Sequence, residues 1–136
     1  MPSLQTQLCW VLNTETPIVQ TPIGHATNPA MTAAVSNAGG LGMLAFQRRN
    51  ADEVRRLVSE TRELTDRPFG ANFILRGLDG TSERIDACLE TGVGIVSFHW
   101  DEPGEYIDRV HAADALVMYT MGSAEDARRA VGSVWI

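Results

Sequence analysis

Cysteine, clustered positive charge and long apolar runs are all scarce in this sequence of 136 residues. The two cysteines, Cys9 and Cys88, form no CxxC spacing, and the three histidines do not combine with them into a spaced set of metal ligands. Cysteines without such a spacing usually behave as small buried apolar residues. We therefore predict no zinc site and no other metal.

The charge balance is acidic, with 11 basic against 17 acidic side chains and a net charge of −6. Because nucleic-acid binding needs a clustered positive surface, this balance argues against a nucleic-acid partner. The pairs Arg48-Arg49 and Arg128-Arg129 form no basic stripe and are interpreted as solvated charges at helix ends. No apolar run approaches the ~18 residues that cross a bilayer, and MPSLQTQLCW at the start lacks the features of a signal peptide. These absences predict a cytoplasmic chain without a membrane segment.

Short apolar segments alternate with amphipathic ones along the chain. Strands are predicted over 18–20, 41–46, 69–75, 95–98 and 115–119, with a sixth beginning at 134, and helices over 28–38, 51–64, 82–91, 104–112 and from 124 onward. This alternation favours a parallel sheet covered by helices, but it does not separate a (β/α)8 barrel from a doubly wound sheet. The chain lacks GxGxxG after the first strand and GxxxxGK[ST] anywhere, which argues against a Rossmann site and a P-loop.

The segment from Pro17 to Gly42, PIVQTPIGHATNPAMTAAVSNAGGLG, carries the most specific motif. Together with LTDRPFGANF at 64–73 and EPGEYI at 102–107, it resembles the nitronate monooxygenase family, whose members read QxPM and AVSNAGGLG near the amino terminus. Ile23 stands where the family usually has Met, and Thr21 stands where it has Ala. The resemblance implies a (β/α)8 barrel that binds FMN and oxidises alkyl nitronates with dioxygen to carbonyl compounds and nitrite.

A complete barrel needs roughly 250 residues. We therefore predict an α/β chain that forms part of a (β/α)8 barrel, about the first five βα units plus the start of strand six, in one truncated FMN-binding domain over 1–136. The resemblance places the family's catalytic histidine motif after strand six and its phosphate loops after strands seven and eight. Since this chain has no counterpart of either, weak or absent FMN binding is expected of it alone. Exposed sheet edges would also favour a homo-oligomer.

Three polar residues in or at the ends of predicted strands are candidates for the site. Asn72 lies inside an apolar strand, where an amide must be hydrogen-bonded, and the resemblance matches it to the family residue that bonds the flavin ring. A satisfied core asparagine is the alternative. His99 ends the next strand at the barrel mouth, where it is either a catalytic base or donor to an anionic substrate, or a structural histidine. Thr120 ends the strand after that, and its hydroxyl is a candidate for contact with the flavin or a water.

The loop after the first strand is the other candidate for cofactor binding. Its residues, matched by the resemblance to the family's flavin-facing loop, are Gln20, Thr21, Pro22, Ile23 and Gly24. Pro22 ends strand pairing, and Gly24 permits backbone angles that other residues resist. The alternative is a simple connector.

Two other functions remain open. A flavin-dependent enoyl-acyl-carrier-protein reductase-like barrel would need an NAD(P)H site, which no motif displays. A non-catalytic half-barrel that folds by association is the third reading.

Overall fold

The architecture, given by a computed structural model, is a parallel sheet with most of its helices against one face, and the structure describes residues 4–77 and 79–132. The strands are β1 (Gly42–Ala45), β2 (Phe69–Ile74), β3 (Ile95–His99) and β4 (Leu116–Thr120). The helices are α1 (Gln7–Leu12), α2 (Pro29–Asn37), α3 (Ala51–Leu64), α4 (Thr81–Glu90), α5 (Glu105–Ala112) and α6 (Ala124–Gly132), with a 3₁₀ turn at Gly24–Ala26. The strand predicted to begin at Val134 lies outside the described residues.

The strand order distinguishes a (β/α)8 barrel from a doubly wound sheet, which the sequence pattern alone does not. The sheet runs β1-β2-β3-β4, and every neighbouring pair is parallel. A doubly wound sheet reverses its order at a switch point, whereas a barrel adds each strand on the same side. The described strands therefore follow the barrel order without a reversal.

Helix boundaries follow local capping chemistry. Asn28 Oδ1 accepts a hydrogen bond from Met31 N at 2.9 Å, and Pro29 occupies the first helical position of α2. Asn50 begins α3 with a reciprocal pair of bonds, in which Glu53 N donates to Asn50 Oδ1 at 2.9 Å and Asn50 N donates to Glu53 Oε2 at 3.0 Å. Such bonds satisfy amide groups that a helix start leaves unpaired, and they explain why both helices begin where predicted.

The first predicted strand is shorter in the structure than in the sequence analysis. Instead of a strand over 18–20, a single parallel bridge joins Val19 to Leu41. The side chain of Gln20 then continues the pairing, since its Nε2 donates to Met43 O at 3.3 Å and its Oε1 accepts from Met43 N at 3.4 Å. A side-chain amide thus replaces the next backbone peptide, and Pro22 follows with no N–H to donate.

The two faces of the sheet bury different sets of side chains. The helix-facing side holds the larger apolar cluster, which includes Leu44, Phe46, Phe69, Phe73, Val96 and Phe98. Residues of opposite parity form a smaller cluster at the amino-terminal end of the strands, where Leu12 of α1 packs with Leu41 and Ile95. The short helix α1 therefore covers this end of the sheet. The other end of this second face stays open and forms the candidate site.

Candidate functional site

A cavity of about 520 Å³ opens at the carboxyl ends of the strands, on the face opposite helices α2–α5. Its lining comes from all four strands and from the segment around the Val19 bridge: Val19, Gln20, Thr21, Pro22, Met43, Gln47, Asn72, Ile74, Ser97, His99, Trp100, Met118 and Thr120. This position is where parallel α/β folds place their ligands, and the volume lies within the range of small-molecule sites.

Asn72 and Ser97 form the polar centre of the cavity. They are register partners on β2 and β3, and both are largely buried. Asn72 Nδ2 donates to Ser97 Oγ at 3.2 Å and to Ser97 O at 3.4 Å. Within residues 4–77 and 79–132, no group donates to Asn72 Oδ1. A nearly buried amide with its nitrogen bonded and its oxygen unused presents one acceptor to a ligand.

His99 and Thr120 stand side by side at the open rim. They are register partners at the ends of β3 and β4, so their side chains leave the sheet on the same face. The His99 ring lies 5.2 Å from the ring of Trp100, tilted by 45°. His99 therefore has an aromatic neighbour on one side and a hydroxyl-bearing neighbour on the other.

The backbone after β3 adopts an unusual conformation. Trp100 and Asp101 both have positive φ angles, 57° and 51°, a region that residues with a Cβ rarely enter. Two bonds hold this turn: Tyr119 Oη donates to Asp101 O at 3.0 Å, and Arg76 Nη2 pairs with Asp101 Oδ1 at 3.2 Å. Burial raises the pKa of Tyr119, so its hydroxyl remains a donor to a higher pH than an ordinary phenol would. The turn directs Trp100 into the cavity wall at the expense of backbone strain.

The residues predicted from the first loop divide between two cavities. Gln20, Thr21 and Pro22 line the 520 Å³ cavity, but the amide of Gln20 is already bonded to the backbone of β1 at both ends. Ile23 does not line it, and its side chain is exposed. Gly24 lines an adjacent cavity with a φ of 41°.

Sequence reasoning missed several lining residues. Ser97 had a detectable signal, since it is a polar residue inside an apolar strand, two positions before His99. Gln47 follows β1 with the same parity as Met43, which also lines the cavity together with Met118. The sequence did not distinguish the two methionines, because an apolar residue in a buried strand can face either the helices or the cavity.

The lining suits a flat ring with a polar edge. Apart from His99 it contains no ionisable side chain among the described residues, and its polar groups are neutral amides and hydroxyls. Met43 Sδ lies so close to Gly70 that a Cβ there would meet it at 2.6 Å, so the missing side chain gives the thioether its space on the cavity floor. Mixed donors and acceptors over apolar walls are the surroundings that a flavin ring requires. The residues present therefore fit a flavin.

The family model for nitronate monooxygenase matches residues 5–80, which is more than half of the chain. The chain belongs to the nitronate monooxygenase family. The match includes the first-loop motif and β2 with Asn72, so the predicted resemblance is confirmed. It ends before β3, and the family model therefore does not reach His99 or Thr120.

Three relatives define the extent of the similarity. A protein of Rhodococcus jostii (strain RHA1) named (3aS,4S,5R,7aS)-5-hydroxy-7a-methyl-1-oxo-octahydro-1H-indene-4-carboxyl-CoA dehydrogenase is 33% identical over 129 residues, 95% of this chain and 36% of its own length. The nitronate monooxygenase of Paraburkholderia phytofirmans is 48% identical over 62 residues, 46% of this chain and 17% of its own length. The structure of FabK from Thermotoga maritima has a TM-score of 0.90 and 32% identity, covering 96% of this chain and 42% of that one.

These figures bear on fold and extent. The chain spans about a third of the length of the Rhodococcus relative and less than half of the FabK chain. The likeness to FabK and the unreversed parallel sheet confirm the predicted fold class, an α/β chain that forms part of a (β/α)8 barrel.

Two kinds of feature are absent from the described residues. No group of three or more His, Cys, Asp or Glu side chains is placed to hold a metal ion. None of the described helices has the length and apolar character needed to cross a membrane.

Proposed function

We propose that this chain forms the flavin-ring and substrate-facing wall of an FMN-dependent nitronate monooxygenase. The observation that carries the proposal is the cavity at the carboxyl ends of the strands, where Asn72, Ser97, His99 and Thr120 converge in a lining without acidic or arginine side chains. Membership of the family supports the choice of flavin over other cofactors.

Each polar group has a definite part in the proposal. Asn72 Oδ1 accepts a hydrogen bond from the polar edge of the ring, while Ser97 fixes the amide through Nδ2. His99 and Thr120 donate hydrogen bonds to the oxygens of the nitronate anion. Bound FMN supplies the electron acceptor through which the nitronate reacts with dioxygen.

The apolar part of the lining keeps the substrate dry. Met43, Ile74 and Met118 bound the cavity below the polar rim, and Trp100 closes it on one side. A nitronate is already an anion with carbanion character, so the protein needs no strong base to activate it. Orientation over the ring and exclusion of water are the contributions expected of these residues.

A second candidate is an oxidoreductase acting on a coenzyme A thioester. It is favoured by the Rhodococcus relative, whose similarity extends over 95% of this chain and whose name specifies a carboxyl-CoA substrate. The ring site would be the same, and only the substrate would differ.

Flavin titration tests the proposal. Wild-type chain titrated with FMN is expected to quench flavin fluorescence only weakly, since it has no counterpart of the family's phosphate loops. The fraction of protein that is loaded is expected to consume oxygen when given an alkyl nitronate without NAD(P)H. Asn72→Ala should weaken FMN binding about tenfold, since it removes one buried hydrogen bond. Asn37→Ala removes an amide that bonds Leu64 O and Thr65 Oγ1 and does not line the cavity; it is the matched control and should leave FMN binding unchanged. Equal FMN affinity in the wild type and Asn72→Ala would contradict the proposal.

A further inference from the structure

A second cavity of about 380 Å³ adjoins the ring site. The two share Gln47, Ile74 and Trp100 in their linings, so they are continuous at the barrel mouth. The remaining lining residues of the second cavity are Gly24, His25, Arg48 and Arg76. A ligand seated in the ring site can therefore extend into this second space.

The charge of the second cavity is opposite to that of the chain. The chain carries a net charge of −6, yet this lining holds two arginines and a histidine and no acidic residue among the described part. Asp101 pairs with Arg76 from outside the lining and offsets one positive charge. Arg48 has no ion pair within residues 4–77 and 79–132. One unopposed guanidinium therefore faces the cavity in an acidic protein.

The backbone at Arg48 is strained. Its φ is 58°, in the left-handed region that Gly adopts freely and Asn tolerates, but that most other residues avoid because of their Cβ atom. The neighbouring Arg49 is committed elsewhere, since its Nη1 pairs with Glu53 Oε1 at 3.2 Å at the start of α3. Strained residues beside a ligand cavity are a recognised sign of function, and here the strain positions a cation.

We propose that this cavity, the arginine cavity, binds a phosphate group of the substrate, and that the substrate is a coenzyme A thioester whose acyl end lies in the ring site. The inference rests on the proposed flavin site and on the second candidate function given above, in which a coenzyme A thioester replaces the nitronate, because the acyl group must lie over the flavin. The side chains of Arg48 and Arg76 end in guanidinium groups, whose planar donors match phosphate oxygens, and the sequence contains no lysine.

Position distinguishes the substrate from the cofactor as the source of the phosphate. In (β/α)8 barrels the phosphate site is frequently built by the loops after strands seven and eight. Arg48 and Arg76 instead follow β1 and β2, which come directly after the Val19 bridge in the sheet. A phosphate at this position is therefore assigned to the second ligand and not to FMN.

Binding measurements on the whole chain test the assignment. Titration with free coenzyme A, followed by Trp100 fluorescence and by calorimetry, is compared with pantetheine, which lacks the phosphates. The variants are Arg48→Asn, which suits the left-handed backbone, Arg76→Gln, which removes a charge from an exposed ion pair, and the double variant. Arg128→Gln, at an exposed position of α6 that does not line the cavity, is the matched control.

Coenzyme A is expected to bind more tightly than pantetheine and to weaken about tenfold for each arginine removed, with a clear dependence on salt. FMN affinity should be the same in all variants, and the control should match the wild type. The assignment is overturned if coenzyme A does not bind, if the double variant binds it as well as the wild type, or if the variants lose FMN instead. Loss of FMN would assign the cavity to the flavin phosphate, whereas intact FMN binding without coenzyme A binding would leave the proposed function standing.

Discussion

Asn72 and Cys88 are both buried, but the sheet places them in opposite environments. Asn72 lies on the cavity face, where Ser97 bonds its nitrogen and its oxygen faces a ligand space. Cys88 lies on α4 within the apolar cluster between the helices and the sheet. Burial raises the pKa of Cys88 to about 12 from an ordinary value of 9.0, which makes the thiol unreactive. This environment agrees with the prediction that the cysteine is a small apolar residue.

The raised pKa of Cys88 predicts a loss of stability at alkaline pH. The folded pKa lies above that of the unfolded chain, so the contribution of the protonated thiol is fully present below pH about 9 and is lost as pH rises toward about 12. Cys88→Ala should lack this loss. The free energy of unfolding, measured with urea between pH 7 and pH 10.5, should therefore fall more steeply for the wild type than for Cys88→Ala. Equal slopes in the wild type and Cys88→Ala would contradict the argument.

At the level of elements, α2 and β1, which both belong to the family motif, lie in close contact. Gly42 N donates to Ser36 Oγ at 3.1 Å, and Ser36 Oγ in turn donates to Pro68 O at 2.8 Å, which ties α2 to the starts of β1 and β2. A Cβ on Gly42 would meet Thr32 O at 2.1 Å. The glycine is required because the helix backbone lies where a side chain would be.

Gly42→Ala should destabilise the protein by about 2–3 kcal/mol, since the backbone of α2 must move away and the Ser36 bonds lengthen. Gly94→Ala is the matched control, because a Cβ on Gly94 meets nothing within 4 Å and the change should stay within about 0.5 kcal/mol. Urea unfolding followed by circular dichroism measures both. A Gly42→Ala protein as stable as the control would show that the helix and strand are not in close contact.

At the scale of the whole molecule, β4 is an edge strand of the sheet. Within the described residues it pairs with β3 alone, and its own residues are exposed or half-buried, with Leu116 40% exposed. A strand edge of this kind offers unpaired backbone groups to another chain. We propose, as the sequence analysis expected, that the isolated chain forms homo-oligomers through this edge.

Leu116→Lys should reduce this association, since a lysine on an edge strand opposes pairing by its charge and hydration. The molar mass from light scattering after size exclusion should exceed the 14.8 kDa of one chain in the wild type and approach it in the variant. Leu64→Lys carries the same substitution at an exposed position on α3, away from the edge, and should keep the wild-type mass. A monomeric wild type would refute the proposal.

Features that depend on neighbours along the chain were determined by the sequence alone. The sequence predicts helices from residues 28 and 51, and α2 and α3 begin within one residue of these positions, because the side chains of Asn28 and Asn50 bond amides three residues away. Asn72, His99 and Thr120 were predicted to converge for a similarly simple reason. Parallel strands end at the same side of a sheet, so residues at or near those ends must meet around it.

Features that depend on distant segments were decided only by the tertiary structure. The amide of Gln20 bonds the backbone of Met43, which shortens the first strand and occupies a side chain that the motif alone assigns to the cofactor. The sequence alone indicates two solvated charges at Arg48-Arg49. In the structure Arg49 pairs with Glu53, and Arg48 lines a cavity together with Arg76. The periodic pattern of a strand specifies which residues share a face, but not which segment packs against that face. That choice is made by packing between residues far apart in the chain, and here it created both cavities.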